Sequence, residues 1–310
     1  MARGFATEAL AAGTFSAMSS RAVVKRTLIG FYDNQMTHHA AALTYYALMS
    51  LFPTLLLGIS LLGLLGQYPE TYDAVLGFLR DVAPDSTLGT LDAALRGAFE
   101  SKGTALVALI VGALLALYGT TGVLEAARRA LNVALEVDSG RSFLQRKGTD
   151  VVSSIVLLVL VLLALILMFV GGGLATELFE LVGLGSTAAD AWAIGRWPAA
   201  VAVAMLVFSW VYYVTPDVKQ RGFRGITPGA AVGVAVWLGT SALFSLYLSS
   251  FGELSGTYGS FGAAIILIVW LWLTNVALLF GAQLNAEIER EKELSEGVPP
   301  GETIDLPGRG

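Results

Sequence analysis

The stretch Val151–Thr176, VVSSIVLLVLVLLALILMFVGGGLAT, contains 26 consecutive residues without Asp, Glu, Lys or Arg. A helix needs about 20 predominantly apolar residues to cross the hydrocarbon core of a bilayer. Five other runs without these four residue types are also long enough: Asn34–Pro69, Gly103–Leu124, Trp197–Pro216, Gly225–Gly252 and Leu254–Ala286. The six runs cover 165 of the 310 residues, so the sequence predicts six membrane-spanning helices.

The composition of the chain supports the same fold class. The mean hydropathy is +0.69, and only 14% of the residues are charged, whereas an average soluble domain is about 25% charged. The chain has no cysteine and 55% hydrophobic residues, which excludes a disulfide scaffold and a disordered protein. Strands of a membrane barrel would be about 10 residues of alternating polarity, but these runs are continuously apolar. The chain is therefore predicted to be an all-α, polytopic membrane protein.

The six runs also suggest how the chain is organised. We expect the spans near residues 41–65, 105–121, 152–174, 199–214, 230–250 and 261–284, within one membrane domain over residues 21–289. A flexible segment, 1–20, precedes this domain, and an acidic tail, 290–310, follows it. Apolar and basic residues at helical spacing in 21–39 predict a helix at the membrane interface. Two amphipathic stretches in 67–102 predict a short helical outer cap.

The distribution of Lys and Arg predicts the orientation. The N-terminal segment, the second and fourth connections and the tail hold 15 of the 19 basic residues, and the alternate connections hold 4. Basic residues remain on the cytoplasmic side of a bacterial inner membrane. We therefore expect a multi-pass protein of the bacterial cytoplasmic membrane with both termini in the cytoplasm.

The sequence offers few residues for catalysis. The only histidines, His38 and His39, are adjacent, and adjacent helical side chains point about 100° apart, which is unfavourable for chelating one metal ion. No phosphate-binding loop, zinc-protease motif or serine-hydrolase motif is present. We therefore predict a protein that is not an enzyme and that has no metal, no cofactor and no nucleic-acid partner.

Polar residues within the first and last spans are candidates for a substrate path or a hinge. Pro53 removes a backbone hydrogen bond and should kink the first helix. The favoured interpretation is a kink that serves packing alone, and the alternative is a hinge or the wall of a cavity. Asn275 lies in the middle of the last span, where a bond to another helix is the favoured interpretation and a substrate contact the alternative. The candidate set is Tyr45, Ser50, Pro53, Asn275, Gln283 and Asn285.

A second candidate site follows the second span. Glu125 precedes Arg128 and Arg129 by three and four residues, so the three should share a helix face, and Asn132 extends this face. The favoured interpretation is an exposed ion pair, and the alternative is a site for a lipid phosphate at the cytoplasmic surface.

Glycines at the start of the last two spans suggest close helix contacts. Gly229 and Gly233 are four residues apart in the fifth span, and Gly259 and Gly262 open the sixth. Small residues at such spacing allow two membrane helices to approach closely. We predict a packing role for all four.

Four motifs resemble those of the YihY/BrkB family of bacterial inner-membrane proteins. They are AAALTYYALMSLFP at 40–53, PGA at 228–230, YGSFGA at 258–263 and LFGAQLNA at 279–286. The resemblance implies six membrane helices, an inner-membrane location and no settled activity. Members of the family that this chain resembles were once labelled ribonuclease BN, and a role in moving envelope lipids has been suggested for relatives.

Three functions follow for testing. The first is a transporter-like protein that moves a lipid or amphiphile of the cell envelope. The second is a non-transporting scaffold of envelope machinery, which would use the outer cap and the tail as docking surfaces. The third, a ribonuclease, is disfavoured because the chain lacks the acidic cluster needed for two metal ions. The expected partners are membrane lipids, with envelope proteins or further copies of the chain as alternatives.

Overall fold

The structure, a computed structural model, consists of helices. It describes residues 21–65, 72–73, 76, 89, 92, 96, 102–137, 141–169, 179, 185–218, 225–250 and 260–295. Seven helices of at least 13 residues lie in these ranges. They are α1 (21–33), α2 (Met36–Leu65), α3 (Lys102–Ala134), α4 (Phe143–Phe169), α5 (Gly185–Val214), α6 (Pro228–Ser250) and α7 (Ser260–Ser295).

Helices α2–α7 each contain a segment that is long and apolar enough to cross a membrane. These segments are Met36–Gly58, Leu106–Ala134, Phe143–Met168, Thr187–Val214, Pro228–Ser249 and Ala264–Leu294. Only 11–33% of the most apolar window of each is buried inside the protein. Apolar side chains that the protein does not cover need a lipid environment. The predicted all-α fold with six membrane-spanning helices is confirmed.

The fourth span begins earlier than predicted. The sequence criterion placed it at 199–214 because a charge-free run cannot include Arg196, but the apolar segment starts at Thr187. Arg196 donates a hydrogen bond from Nη1 to the carbonyl oxygen of Met168 at 3.2 Å. Its guanidinium also lies 4.9 Å from the centre of the Trp197 ring. A long basic side chain can therefore lie within this helix because its polar head has partners near the helix end.

The six spanning helices form a ring in chain order. Each helix packs against the next, α7 packs against both α6 and α2, and α7 also contacts α3 across the ring. Helices α2, α4 and α6 begin at one end of the bundle, where α3, α5 and α7 finish. We call this end the charged end, because the ion pairs described below lie there, and the opposite end the far end.

Helices α2 and α3 approach closely through glycines of α3. A Cβ atom added at Gly119 would lie 2.6 Å from the Cβ atom of Ser50, and one at Gly122 would overlap the ring of Tyr46. Real Cβ atoms do not approach other heavy atoms this closely. Small residues are therefore required on α3, as is usual for tightly packed membrane helices. Helix α2 remains helical through Pro53.

The main hydrophobic core lies at the charged end. It joins buried side chains from every spanning helix, among them Leu43 of α2, Leu124 of α3, Val211 of α5, Val234 of α6 and Leu279 of α7. A smaller cluster farther from this end joins α2, α3 and α4 through Leu57, Ala116 and Leu158. Dense packing of this kind holds helices in fixed relative positions.

The far half of α6 is packed much less. Within the described part of this helix, no side chain after Val234 is buried, and Leu243 and Leu246 are 68% and 63% exposed. At 100° per residue, the exposed positions cover about 200° of the helix circumference. The bundle is therefore tightly packed at the charged end and loosely packed along the far half of α6.

The N-terminal helix α1 runs antiparallel to the end of α7. Phe31 packs edge-on against Phe280, with ring centres 5.9 Å apart. Arg26 forms ion pairs of 3.0 Å with Glu287 and 2.5 Å with Glu291. Burial lowers the pKa of Arg26, but hydrogen bonds to Glu291 and Glu287 outweigh this cost and raise it above its ordinary value.

The remaining predicted segments lie outside the described residues. These are the N-terminal segment 1–20, the outer cap 67–102 apart from 72–73, 76, 89, 92, 96 and the first residue of α3, and the tail after Ser295. In the cap region, the Tyr72 hydroxyl donates to Asp92, which also pairs with Arg96 at 3.2 Å. The start of the tail continues α7 as a helix up to Ser295.

Candidate functional site

Four charged side chains are buried together at the charged end. They are Arg128 of α3, Arg141 before α4, Asp150 of α4 and Asp217 after α5, and their side chains are 0–5% exposed. We call this group the buried ion cluster. Arg128 is paired with both carboxylate oxygens of Asp150, at 3.2 Å for the Nη1–Oδ2 contact. Asp217 Oδ1 lies 3.3 Å from Arg141 Nε and 3.7 Å from Arg128 Nε.

Main-chain carbonyls at the end of α5 complete the cluster. The last carbonyls of a helix have no partner within the helix. Arg128 Nε donates to the carbonyl oxygen of Thr215 at 3.1 Å, and Arg141 Nη2 donates to that of Pro216 at 3.1 Å. Asn132 Nδ2 donates to Asp217 Oδ2 at 3.1 Å, and Asn132 Oδ1 accepts a hydrogen bond from the backbone N–H of Asp217 at 3.0 Å. The cluster thus caps α5 and fixes it to α3 and α4.

The buried ion cluster is electrically balanced. Two guanidinium groups and two carboxylates give a net charge of zero when all are ionised. Buried charges are tolerated only when they are paired and hydrogen-bonded. Removing one member should therefore cost more than removing an opposite pair, and the cluster makes the arrangement of helices at this end specific.

The structure divides the predicted headgroup set into two groups. Arg128 belongs to the buried ion cluster and Asn132 bonds to Asp217 of this cluster, whereas Arg129 is 74% exposed and pairs with Glu125 at 2.8 Å. Lys147 of α4 approaches the same Glu125 at 3.5 Å. Arg128 and Arg129 diverge because adjacent residues of a helix point about 100° apart. The headgroup site stays a prediction; Arg129 is the exposed basic residue of the predicted set, and the structure places Lys147, which was not in that set, beside the same Glu125.

Sequence reasoning did not identify three members of the buried ion cluster. Arg141 was counted only as a basic residue of a connection, and Asp150 and Asp217 were treated as ends of charge-free runs. One signal was available: both acids lie directly beside a span, within connections that also contain several Arg and Lys residues. An acidic residue next to a membrane helix and among arginines is a candidate for an ion pair.

The amide side chains of α7 bond to other helices. Asn275 Nδ2 donates to Thr44 Oγ1 of α2 at 3.1 Å and to the carbonyl oxygen of Leu271 at 2.9 Å. Gln283 accepts a bond from Asn34 at 3.2 Å and donates to Glu287 at 3.3 Å. For Asn275, the structure shows a bond to another helix, which was the interpretation favoured over a substrate contact.

Asn285 bonds to the first turn of α6. Its Oδ1 accepts a hydrogen bond from the backbone N–H of Gly229 at 2.8 Å, and its Nδ2 donates to Thr227 Oγ1 at 3.0 Å. Thr227 Oγ1 in turn accepts a bond from the N–H of Ala230 at 3.1 Å, as an N-cap residue does. This arrangement fixes the start of α6 against the end of α7.

The three candidates on α2 lie in different surroundings. Tyr45 is exposed and packs edge-on against Tyr46. Ser50 donates to the carbonyl oxygen of Ala47 at 3.0 Å and packs on Gly119. The ring of Pro53 leaves the carbonyl of Met49 without its usual helical partner. The structure does not join these residues into one site with the amides of α7, and their role as a path or hinge stays a prediction.

The predicted glycine contacts have different outcomes. A Cβ atom at Gly229 would overlap the carbonyl oxygen of Gly281, and one at Gly233 would lie 3.1 Å from that of Ala277. Helices α6 and α7 therefore cross with their backbones in close contact. Gly262 is buried, and Gly259 lies outside the described residues.

Hydroxyl and indole groups connect α6 and α7 beyond this crossing. Trp237 Nε1 donates to Thr274 Oγ1 at 3.0 Å, and Trp270 Nε1 donates to Ser241 Oγ at 3.3 Å. The two indole rings lie 6.4 Å apart. This pair of helices presents neutral polar groups beside exposed apolar side chains. No group of three or more His, Asp or Glu residues suited to a metal ion occurs in the ranges that the structure describes.

Comparison with known proteins identifies relatives along most of the chain. The sequence model of the family described as virulence factor BrkB matches residues 27–302. The ribonuclease-like protein YfkH of Bacillus subtilis is 31% identical over 260 residues, which cover 84% of this chain and 92% of that protein. A UPF0761 membrane protein of Pseudoalteromonas translucida is 24% identical over 266 residues, with 84% and 83% coverage. No solved structure matches the chain.

Proposed function

The chain belongs to the BrkB family of membrane proteins, and from this premise we propose that it moves a lipid or another amphiphile of the cell envelope across the membrane. The observation that carries the proposal is the uneven packing of the helix ring. The charged end is closed by the main core and the buried ion cluster. The far half of α6 has no buried side chain after Val234 in its described part.

A ring of this kind can change shape at one end only. Helices fixed by packing and ion pairs at the charged end can separate at the far end without breaking those contacts. Separation beside α6 would open the ring sideways to the bilayer, where acyl chains are already located. Such a lateral opening suits a substrate that keeps its apolar part in lipid during transport.

The chemistry of α6 and α7 favours an amphiphile over an ion. The run Gly225–Gly252 contains no Asp, Glu, Lys or Arg, whereas ion pathways commonly contain such residues within the membrane. The polar groups between α6 and α7 are instead neutral hydroxyls and indoles, which bond to one another in the structure as Trp237–Thr274 and Trp270–Ser241 and would exchange these partners for a headgroup when the helices separate. Neutral donors and acceptors can bind a polar headgroup without the cost of an unpaired buried charge.

The proposal includes the location and the orientation. We place the protein in the bacterial cytoplasmic membrane, with the charged end in the cytoplasm, on the basis of the 15-to-4 distribution of basic residues. Exposed Arg129 and Lys147 would then face lipid phosphates of the inner leaflet. In this proposal the protein acts by transport and not by catalysis.

Reconstitution tests the proposal. Purified protein is placed in vesicles with a fluorescent phospholipid, and a membrane-impermeant reductant then quenches the outer leaflet. Vesicles with protein should lose the protected half of the fluorescence faster than protein-free vesicles, because inner-leaflet lipid becomes exposed. The experiment is repeated with phosphatidylethanolamine, phosphatidylglycerol and a single-chain amphiphile. If vesicles with and without protein lose fluorescence at equal rates for all three, transport is refuted and the scaffold function remains.

A further inference from the structure

Helix α1 has an outward face that its own protein leaves uncovered. Val23, Thr27 and Phe31 point toward α7 and the core. On the opposite side, Leu28 is 57% exposed and Tyr32 is 83% exposed. A helix with one face packed on protein and a second apolar face exposed needs another apolar environment for that second face.

Basic residues lie directly beside this apolar stripe. Val24, Leu28 and Tyr32 are four residues apart and so form one line along the helix. Arg21 and Lys25 are exposed on the same side at about 60° and 100° around the helix from Val24. The side chains next to these two cations on this face, Val24, Leu28 and Tyr32, are apolar or aromatic. Leu, Val and Tyr beside Arg and Lys form the pattern of a helix that binds an anionic membrane surface.

The position of α1 fits this partner. Asn34, at its end, bonds to Gln283 of α7, and Arg26 pairs with Glu287 and Glu291. The charge-free run of α7 ends at Ala286, so α1 lies at the level where the charged residues of α7 begin. Aromatic and basic side chains are typical of that level. The ion pairs of Arg26 leave Arg21 and Lys25 available to lipid phosphates.

We propose that the Val24–Leu28–Tyr32 face of α1 inserts into the headgroup region of the membrane and that Arg21 and Lys25 bind anionic lipid phosphates there. This surface is separate from the proposed transport path and does not depend on it. It anchors α1, and with it the end of α7, to the leaflet that contains the anionic lipid.

The absence of cysteine permits a direct test in the full-length protein. Spin labels are attached to single variants Leu28→Cys and Asp33→Cys in nanodiscs with or without phosphatidylglycerol. Asp33 is an exposed α1 residue on the other side of the helix from Leu28. The measured quantity is the accessibility of the label to oxygen divided by its accessibility to a nickel complex. We expect this ratio to be several-fold higher at position 28 than at position 33, and higher at position 28 in nanodiscs with phosphatidylglycerol than in those without it.

Charge reversal completes the experiment. In a Leu28→Cys protein that also contains Arg21→Glu and Lys25→Glu, phosphatidylglycerol should no longer raise the ratio of oxygen to nickel-complex accessibility at position 28. Equal ratios at 28 and 33 would overturn the insertion, and a high ratio at 28 that is insensitive to lipid charge would overturn the phosphate contacts. Strong dipolar broadening between labels at position 28 would show that another copy covers this face, and it would also overturn the proposal.

Discussion

Replacing Arg128 by Met should destabilise the protein strongly, because it leaves the buried ion cluster with a net charge of −1. Two unit charges 3.2 Å apart, the Nη1–Oδ2 separation, attract each other by about 5 kcal/mol at an effective dielectric constant of about 20. Removing one partner of a buried ion pair typically costs about 3–5 kcal/mol. We therefore expect Arg128→Met to lower the free energy of unfolding by about 3–5 kcal/mol, and Asp150→Leu to lower it by a similar amount.

The double variant separates charge balance from loss of contacts. Arg128→Met with Asp150→Leu removes one positive and one negative group and leaves Arg141 paired with Asp217. Replacing a buried ion pair by apolar side chains is often neutral, and the carbonyl of Thr215 loses one donor, which costs about 1–3 kcal/mol. The double variant should therefore be more stable than either single variant.

Unfolding of the purified protein in mixed micelles, followed by helical circular dichroism, measures these free energies. Arg129→Met is the matched control, because Arg129 is the adjacent residue but is 74% exposed. Exposed ion pairs contribute about 0–1 kcal/mol, so this variant should unfold almost as the wild type does. The reasoning would be refuted if the double variant lost as much free energy of unfolding as the two single variants together. It would also be refuted if Arg128→Met and Arg129→Met lost equal amounts.

Three other predictions follow from the packing and the chemistry. Gly229→Ala should lower the free energy of unfolding by about 1–3 kcal/mol or more, because the added Cβ would overlap the backbone of Gly281. Gly148→Ala is the control: the space around Gly148 is open, so this variant should be neutral or stabilising in the same unfolding assay. A double-mutant cycle of Asn275→Ala and Thr44→Val should give a coupling of about 0.6–1.7 kcal/mol; a coupling of zero would contradict the hydrogen bond between them. Purified protein should not cleave RNA in the presence of Mg²⁺ or Mn²⁺, and metal-dependent cleavage that persists through further purification would overturn the non-enzymatic proposal.

Hydropathy predicted the spans because the cost of placing charge in lipid acts on every residue of a membrane helix. The same criterion shortened the fourth span, since it could not anticipate that Arg196 finds partners in Met168 and Trp197. The glycine rule found the α6–α7 crossing at Gly229, but it missed Gly119 and Gly122, whose importance depends on Ser50 and Tyr46 of another helix.

The buried ion cluster could not be predicted from local pattern. Helical spacing correctly paired Glu125 with Arg129, because both lie on the exposed surface of one helix. It could not show that Arg128 points the other way, toward Asp150 and the end of α5, since those contacts join residues 22 and 87 positions apart. Long-range pairing depends on how the helices assemble, which spacing within one helix does not record.

Distances between spin labels in lipid nanodiscs test most directly whether the ring is fixed at the charged end and free to rearrange at the far end. One pair, Ile194→Cys and Leu243→Cys, reports on α5 and α6 toward the far end, and a second pair, Leu144→Cys and Ile226→Cys, reports on the charged end. All four side chains are exposed, and no native cysteine interferes. The account predicts a broad or two-peaked distance distribution for the first pair and a single narrow one for the second. Equally narrow distributions for both pairs would contradict it.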